Sequence, residues 1–390
     1  MPKILTWTLG VQQEVYRNAT IEVRYLGTRG LELPVQFRRN RISGFDGGLT
    51  ALPEYFRAQD VPANVPAGVP AQSQWTAFCS PSSTAPCNAY APFGFRANVT
   101  SDPPLGGSRY HAGSVSLVQR SRFGLTVNTN YTYSHTQDNS TNEFFTSLLN
   151  PRRGQDTNHL SEDWANSDLD VRHKFSLAWG YDVPKAKTDN ALLKAVLNGY
   201  QLGSVFLAQS GQPVTLQSGT DVNRNGDSAG DRLMFNPFGT NPTGGSDIIN
   251  VCAPAGGGNT HTGSCNPGEN VVGYLAADST ARYVVAGRGV RTNVGRNSIT
   301  TPGFAVLNLS LGKRTYFTEG KYLLVKADIF NVLNHPNFAL SNGNVFSVAG
   351  VTTATTTQGY VIPTDPNFLR PDKFFSGGIR SMTLALKIVF

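Results

Sequence analysis

Few residues in this 390-residue chain are spaced for chemistry. The run Asp221-x-Asn223-x-Asn225-Gly226-Asp227 puts oxygen-bearing side chains at alternate positions and then a glycine for a turn, as in the first half of a calcium loop. Position twelve of such a loop needs a bidentate Glu, and Arg232 stands there instead, with Asp231 as the neighbouring carboxylate that could substitute. The ligand set for a structural Ca2+ is therefore Asp221, Asn223, Asn225, Asp227 and Asp231. The preferred competing reading is an Asx- and Gly-rich turn in a surface loop.

Gly226-Asp227-Ser228-Ala229-Gly230 matches the nucleophile-elbow pattern G-x-S-x-G, which requires a buried strand before it and a helix after it. Polar turn residues precede it here, and Asp231, Arg232 and Pro237 follow. The six histidines, His111, His135, His159, His173, His261 and His335, show no close metal spacing, and no P-loop is present. His335, in an Asn-His-Pro-Asn turn after a strand, reads as a turn and packing residue. No catalytic residue or cofactor is expected, and the chain does not read as an enzyme. The four cysteines fall into two local pairs, Cys79 with Cys87 and Cys252 with Cys265, each inside a Gly/Pro/Ser/Asn-rich stretch. Two small loop disulfides in an oxidising compartment are expected, the alternative being free loop thiols.

The elements that would position these loops are strands. Period-two alternation between turn residues marks nine segments, roughly 3–15, 20–29, 108–118, 122–136, 170–183, 197–211, 301–313, 321–333 and 378–390. In the last, Met382, Leu384, Leu386, Ile388 and Phe390 share a face opposite Ser381, Thr383, Ala385, Lys387 and Val389. Phe123, Leu125, Val127, Thr129, Tyr131 and Tyr133 do the same in the fourth, opposite Gly124, Thr126, Asn128 and Asn130. Trp7, Leu9, Val11 and Val15 form such a face in the first segment, and Ile21, Val23 and Tyr25 in the second. Phe175, Leu177, Trp179 and Tyr181 form it in the fifth, and Leu323, Val325, Ala327 and Ile329 in the eighth. The third and sixth alternate too poorly for a face to be assigned.

The connections alternate strictly. Segments 16–19, 119–121, 184–196 and 314–320 are short, while 30–107, 137–169, 212–300 and 334–377 are long. In an up-and-down meander every second connection lies at the same end. Short periplasmic turns and long extracellular loops are the pattern of a transmembrane barrel, whereas a compact soluble domain seldom holds loops this long. Phe123 to Tyr133 spans about 33 Å at ~3.3 Å per residue. Tilted by about 40°, it covers roughly 25 Å, the height of the apolar band, with aromatic residues at both margins. Trp7, Tyr25, Trp179 and Tyr181 are further girdle candidates. Glu14, Glu22, Arg24, Lys174, Asp182, Lys326, Asp328 and Lys387 would then face a polar lumen.

Composition agrees. At 15 % charged and 10 % aromatic, the chain is neither disordered nor rich in helix formers. No run of 18 apolar residues marks a transmembrane helix, a test to which alternating strands are blind. The net charge of +7 is scattered. The basic run Arg38-Arg39-Asn40-Arg41 reads as a solvated loop, and no nucleic-acid partner is expected.

Several stretches together resemble the C-terminal half of Oar-like TonB-dependent receptors. They are Trp7-Thr8-Leu9-Gly10-Val11-Gln12-Gln13-Glu14, Val23-Arg24-Tyr25-Leu26-Gly27-Thr28-Arg29-Gly30 and Asp170-Val171-Arg172-His173-Lys174-Phe175. Ser210-Gly211-Gln212-Pro213, Asp221–Asp227 with Gly230-Asp231-Arg232, and Phe330-Asn331-Val332-Leu333-Asn334-His335-Pro336-Asn337-Phe338 follow in family order. The resemblance implies a 22-stranded barrel closed by an N-terminal plug and energised through TonB. Phe390, ending an alternating strand, resembles the terminal signal read by the barrel-insertion machinery.

The expectation is thus an all-β, antiparallel, up-and-down transmembrane β-barrel. Residues 1–390 would be a single C-terminal portion of it, nine to ten strands of a larger wall, in the outer membrane of a Gram-negative bacterium. No signal peptide begins at Met1-Pro2-Lys3-Ile4, and no plug is found. TonB and plug would therefore be reached only through an upstream region. Its partners would be outer-membrane lipid, the insertion machinery and an unidentified substrate. The alternatives are a passive porin or surface adhesin, and a secreted β-rich carbohydrate-binding or hydrolase domain in which Ser228 would act.

Overall fold

The computed structural model describes residues 1–79, 85–140, 151, 153–228, 230–318, 320–338, 359–374 and 378–390. Nine long strands form one antiparallel sheet in chain order. They are β1 (Lys3–Tyr16), β2 (Ala19–Leu33), β3 (Gly106–Arg122), β4 (Leu125–Asp138), β5 (His173–Asp182), β6 (Tyr200–Gln209), β7 (Phe304–Thr318), β8 (Lys321–Phe330) and β9 (Ser381–Val389). The two-residue Ala165–Asn166 adds to β4 at one end. The sheet does not close on itself; β1 and β9 are its edges.

Every strand expected from the alternation is present. Strand ends differ by a few residues, most visibly at Phe123. It lies not on β4 but in the β3–β4 turn, with φ +50° and 80 % exposed. With Gly124 at φ +83° it makes the two-residue loop of positive-φ residues whose twist suits an antiparallel hairpin.

Register carries one face through the whole sheet. Val11, Val23, Val115, Tyr131 and Phe175 are successive cross-strand partners from β1 to β5. Trp179, Ser204, Leu309, Ile329 and Met382 continue the same face from β5 to β9. This outer face holds every apolar set identified by alternation, and it is bare: Leu9 is 72 % and Leu386 68 % exposed. A continuous apolar face of that extent is unfavourable in water and is what a membrane covers. Gly27 lies directly across from Trp7, and a Cβ there would stand 2.2 Å from the indole Cε2, so the ring needs a glycine beside it. The opposite face is polar and includes all eight lumen candidates, with Gln201 Nε2 donating to Asp182 Oδ1 at 2.6 Å and Lys326 pairing with Asp328 at 2.9 Å.

All long connections leave one end of the sheet, and nearly all the buried apolar core lies in them rather than against the strands. Val214, Leu216, Leu233 and Val294 of the β6–β7 loop pack with Tyr360, Val361 and Phe368 of the β8–β9 loop. Leu52 and Trp75 of the β2–β3 loop pack with Val222, Tyr274, Ala286 and Val290 of the β6–β7 loop. Three of the excursions therefore share an interior, and the β4–β5 loop is tied to them by polar contacts such as Ser43 to Asp156 and Arg153 to Asp227, so that the four form one cap.

Candidate functional site: the external loop cap

The Asp221–Asp227 segment is the hub of this cap. Asp221 Oδ1 accepts from the Asn225 amide (3.1 Å) and Oδ2 from the Gly226 amide (3.0 Å). Asn223 Oδ1 also accepts from the Asn225 amide (3.1 Å), and Asn225 Oδ1 accepts from that of Asp227 (2.8 Å). These are Asx turns, the local bonding for which Asn and Asp are suited. Outward, the same segment ties three loops together. The Gly44 and Gly289 amides each donate to it at 2.7 Å, on Asn223 O and Val222 O. The Asn223 and Asn225 side-chain amides donate to Gln155 O, and the Arg224 guanidinium caps Trp75 O and Cys79 O. Asp227 is held by Arg153 and, at 3.2 Å, by Arg38.

Four of the five calcium candidates thus have carboxylate or amide oxygens engaged by backbone amides or guanidinium groups. The fifth, Asp231, is fully buried. Its Oδ2 accepts from the Val222 amide (2.8 Å) and its Oδ1 has no hydrogen-bond partner. Burial, reinforced by the nearby Asp221 charge, drives its carboxyl well above the usual range. Among the described residues, Asp221, Asp227 and Asp231 do not gather their carboxylate oxygens at one point. Ser228 has neither a strand before it nor a helix after it.

A second junction had no counterpart in the sequence reading. Ser43 Oγ donates to Asp156 Oδ2 at 2.9 Å across 113 residues of chain. His159 Nδ1 lies 3.3 Å from Asp156 Oδ2 and 3.7 Å from Asp46 Oδ1. The hydrogen bond and charge of Asp156 raise the imidazole pKa, and the ring lies between two carboxylates from two loops. Among the described residues this is where three His, Cys, Asp or Glu donors meet. Asp156 and His159 are three residues apart, but only folding brings Asp46 to them, so the cluster had no signal in the spacing.

Two ion pairs anchor the cap. Arg232 meets Asp163, and Arg296 meets Asp138 at the end of β4. Burial lowers the Arg232 pKa to about 10. Glu54 is half-buried where Glu54–Tyr55 runs beside Tyr274–Leu275. Its Oε2 accepts from the Gly287 amide at 3.1 Å, its Oε1 is unpartnered, and burial raises its pKa to about 8. Cys79–Cys87 and Cys252–Cys265 are both disulfide-bonded, each within one loop. Below the cap, the inner face of the sheet carries a recess of about 690 Å³ whose lining includes Val118, Val205 and Phe330 beside Asn128, Asn308 and Asp328. Phe390 stands just beyond β9 and is fully open to its surroundings.

An antiparallel meander with a bare apolar outer face, a polar inner face and all long loops at one end is the wall of a membrane-spanning β-barrel. The chain belongs to the outer membrane beta barrel domain family, whose model matches residues 1–362. Its place is therefore the outer membrane. Comparison with curated proteins gives no match. Similar solved structures include the outer membrane transporter YddB from Escherichia coli, at TM-score 0.39 and 10 % identity, covering 100 % of this chain and 32 % of that one. Pseudomonas aeruginosa FpvA bound to heterologous pyoverdines gives TM-score 0.33 and 9 % identity over 86 % of this chain and 24 % of that one. The FpvAI–pyocin S2 complex gives 0.35 and 8 % over 99 % and 26 %. The chain spans about a third or less of each of these proteins.

Proposed function

We propose that this chain supplies wall strands and the external cap of a TonB-dependent, Oar-like outer-membrane receptor. Its substrate binds among the long loops and passes down the polar face. The observation that carries this reading is the cap itself. Three loops that could have been separate fold around shared cores, and the fourth is bonded to them, above a polar lumen face. A passive pore has no evident use for an entrance built over in this way. Further strands would complete the wall, and a plug would fill it. Energy coupling through TonB would act on the whole protein. No chemistry on the substrate is proposed; specificity would reside in the cap surface, and Phe390 would serve barrel insertion.

The test is conductance of the full-length protein in a planar bilayer. A plugged receptor shows little steady current until urea extracts the plug. A steady open current before urea would instead identify a passive porin.

A further inference from the structure

Above its aromatic belt the outer face turns basic. Cross-strand partners run in rows from β1 to β5. Leu9, Tyr25, Gly113, Tyr133 and His173 form one row, and Trp7, Gly27, His111 and His135 form the next toward the cap. Two tyrosine–histidine bonds of 2.8 Å, Tyr25 to His111 and Tyr131 to His173, fix this belt. The row beyond it is Leu5, Arg29, Arg109 and Gln137.

Arg29 and Arg109 are direct cross-strand partners, and both are exposed. Like charges directly opposite on one face repel, so the pair is unfavourable unless an anion joins it. No carboxylate of these strands is placed to do so. Register puts Glu14, Glu22, Asp138 and Asp182 on the opposite face. Glu32 is taken by Lys3 and the Met1 amino group. The Arg109 guanidinium lies over the Trp164 ring at 5.2 Å, which positions one fork.

We propose that Arg29 and Arg109 form a docking site for the phosphate of an outer-leaflet lipid headgroup. Two planar forks suit a phosphate oxygen set. The pair sits two residues, about 7 Å, beyond the His111 level, where an aromatic belt gives way to headgroups. Acyl chains would lie against Leu9, Val11, Val23 and Val115 on the same face. A soluble anion would gain the charge contacts but not these, so the occupant is a lipid and not free phosphate.

The test is native mass spectrometry of the full-length protein in mild detergent. The probes are dioleoyl phosphatidic acid, dioleoyl phosphatidylcholine and inorganic phosphate. Phosphatidic acid should be retained over phosphatidylcholine. Retention should fall about fivefold for each of Arg29→Gln and Arg109→Gln, and multiplicatively in the double variant. Heat-modifiable gel mobility reports that each variant is folded. Raising salt on the wild-type protein should release phosphatidic acid and needs no variant. Equal retention of the two lipids, retention unchanged in the double variant or by salt, or inorganic phosphate displacing the lipid at similar concentration would each overturn the assignment.

Discussion

Asp231, fully buried, and Glu54, half-buried, each keep one carboxyl oxygen out of water without a partner, and they make the cap sensitive to alkali. Burial raises both, so in the folded cap they keep a proton that the unfolded chain has released. Their contribution is complete below the ordinary carboxyl range. It is lost progressively as pH rises to about 8, the folded-state value for Glu54. Glu54→Gln should therefore stabilise the cap above pH 8, by about 2 kcal/mol, and flatten its pH profile. Protease susceptibility of the loops across pH 5–9 (roughly the span between the two states' ionisation ranges) checks this; an unchanged profile counts against it. Asp227 is paired with Arg38 and Arg153. Asp227→Ala should cost about 2–3 kcal/mol by leaving two half-buried guanidinium groups without their carboxylate. A chelator such as EDTA should leave the cap's thermal transition where it was, and a fall on chelation would return the loop to the calcium reading.

At the scale of elements, the faces of the strands are the checkable quantity. Leu309 and Ser310 are neighbours in β7 that point to opposite faces, Leu309 across from Ser204 and Ile329, Ser310 across from Gly203 and Asp328. Leu309→Arg should cost about 2–4 kcal/mol and reduce the folded, heat-modifiable fraction, while Ser310→Arg is tolerated. Equal effects would mean that the outer face is not in lipid. The strands were legible in the sequence because one wall residue in two must meet hydrocarbon, which prints a period of two. The faces of β3 and β6 were not. On β6, Ser204 lies on the outer face while Val205 and Leu207 lie on the inner one, and on β3, His111 and Gly113 interrupt the outer face. Only cross-strand register resolves them. Loop interiors were illegible for a different reason. Their contacts join Ser43 to Asp156, or Arg224 to Trp75, across more than a hundred residues with no periodicity to betray them. The calcium-like motif was visible, but its role as a hub was not, because that role is played by what arrives from other loops.

For the whole molecule, orientation follows from the alternation of connections. The β5–β6 connection, with its short helix Ala191–Leu197, lies at the end opposite the cap. An epitope inserted between Asp189 and Asn190 should bind antibody only after the outer membrane is permeabilised. One inserted at Gly68, which has open space around its Cα, should bind on intact cells. The reverse labelling would invert the topology. The two disulfides bear on how such a molecule is delivered. Cys79–Cys87 and Cys252–Cys265 join residues 8 and 13 apart, so each ring closes inside a single excursion. Oxidation can then run to completion on the inner side without cross-linking one excursion to another. The two excursions that carry a ring stay separate threads that could be carried through the bilayer with the ring already shut, because the interior they share is held by non-covalent contacts alone.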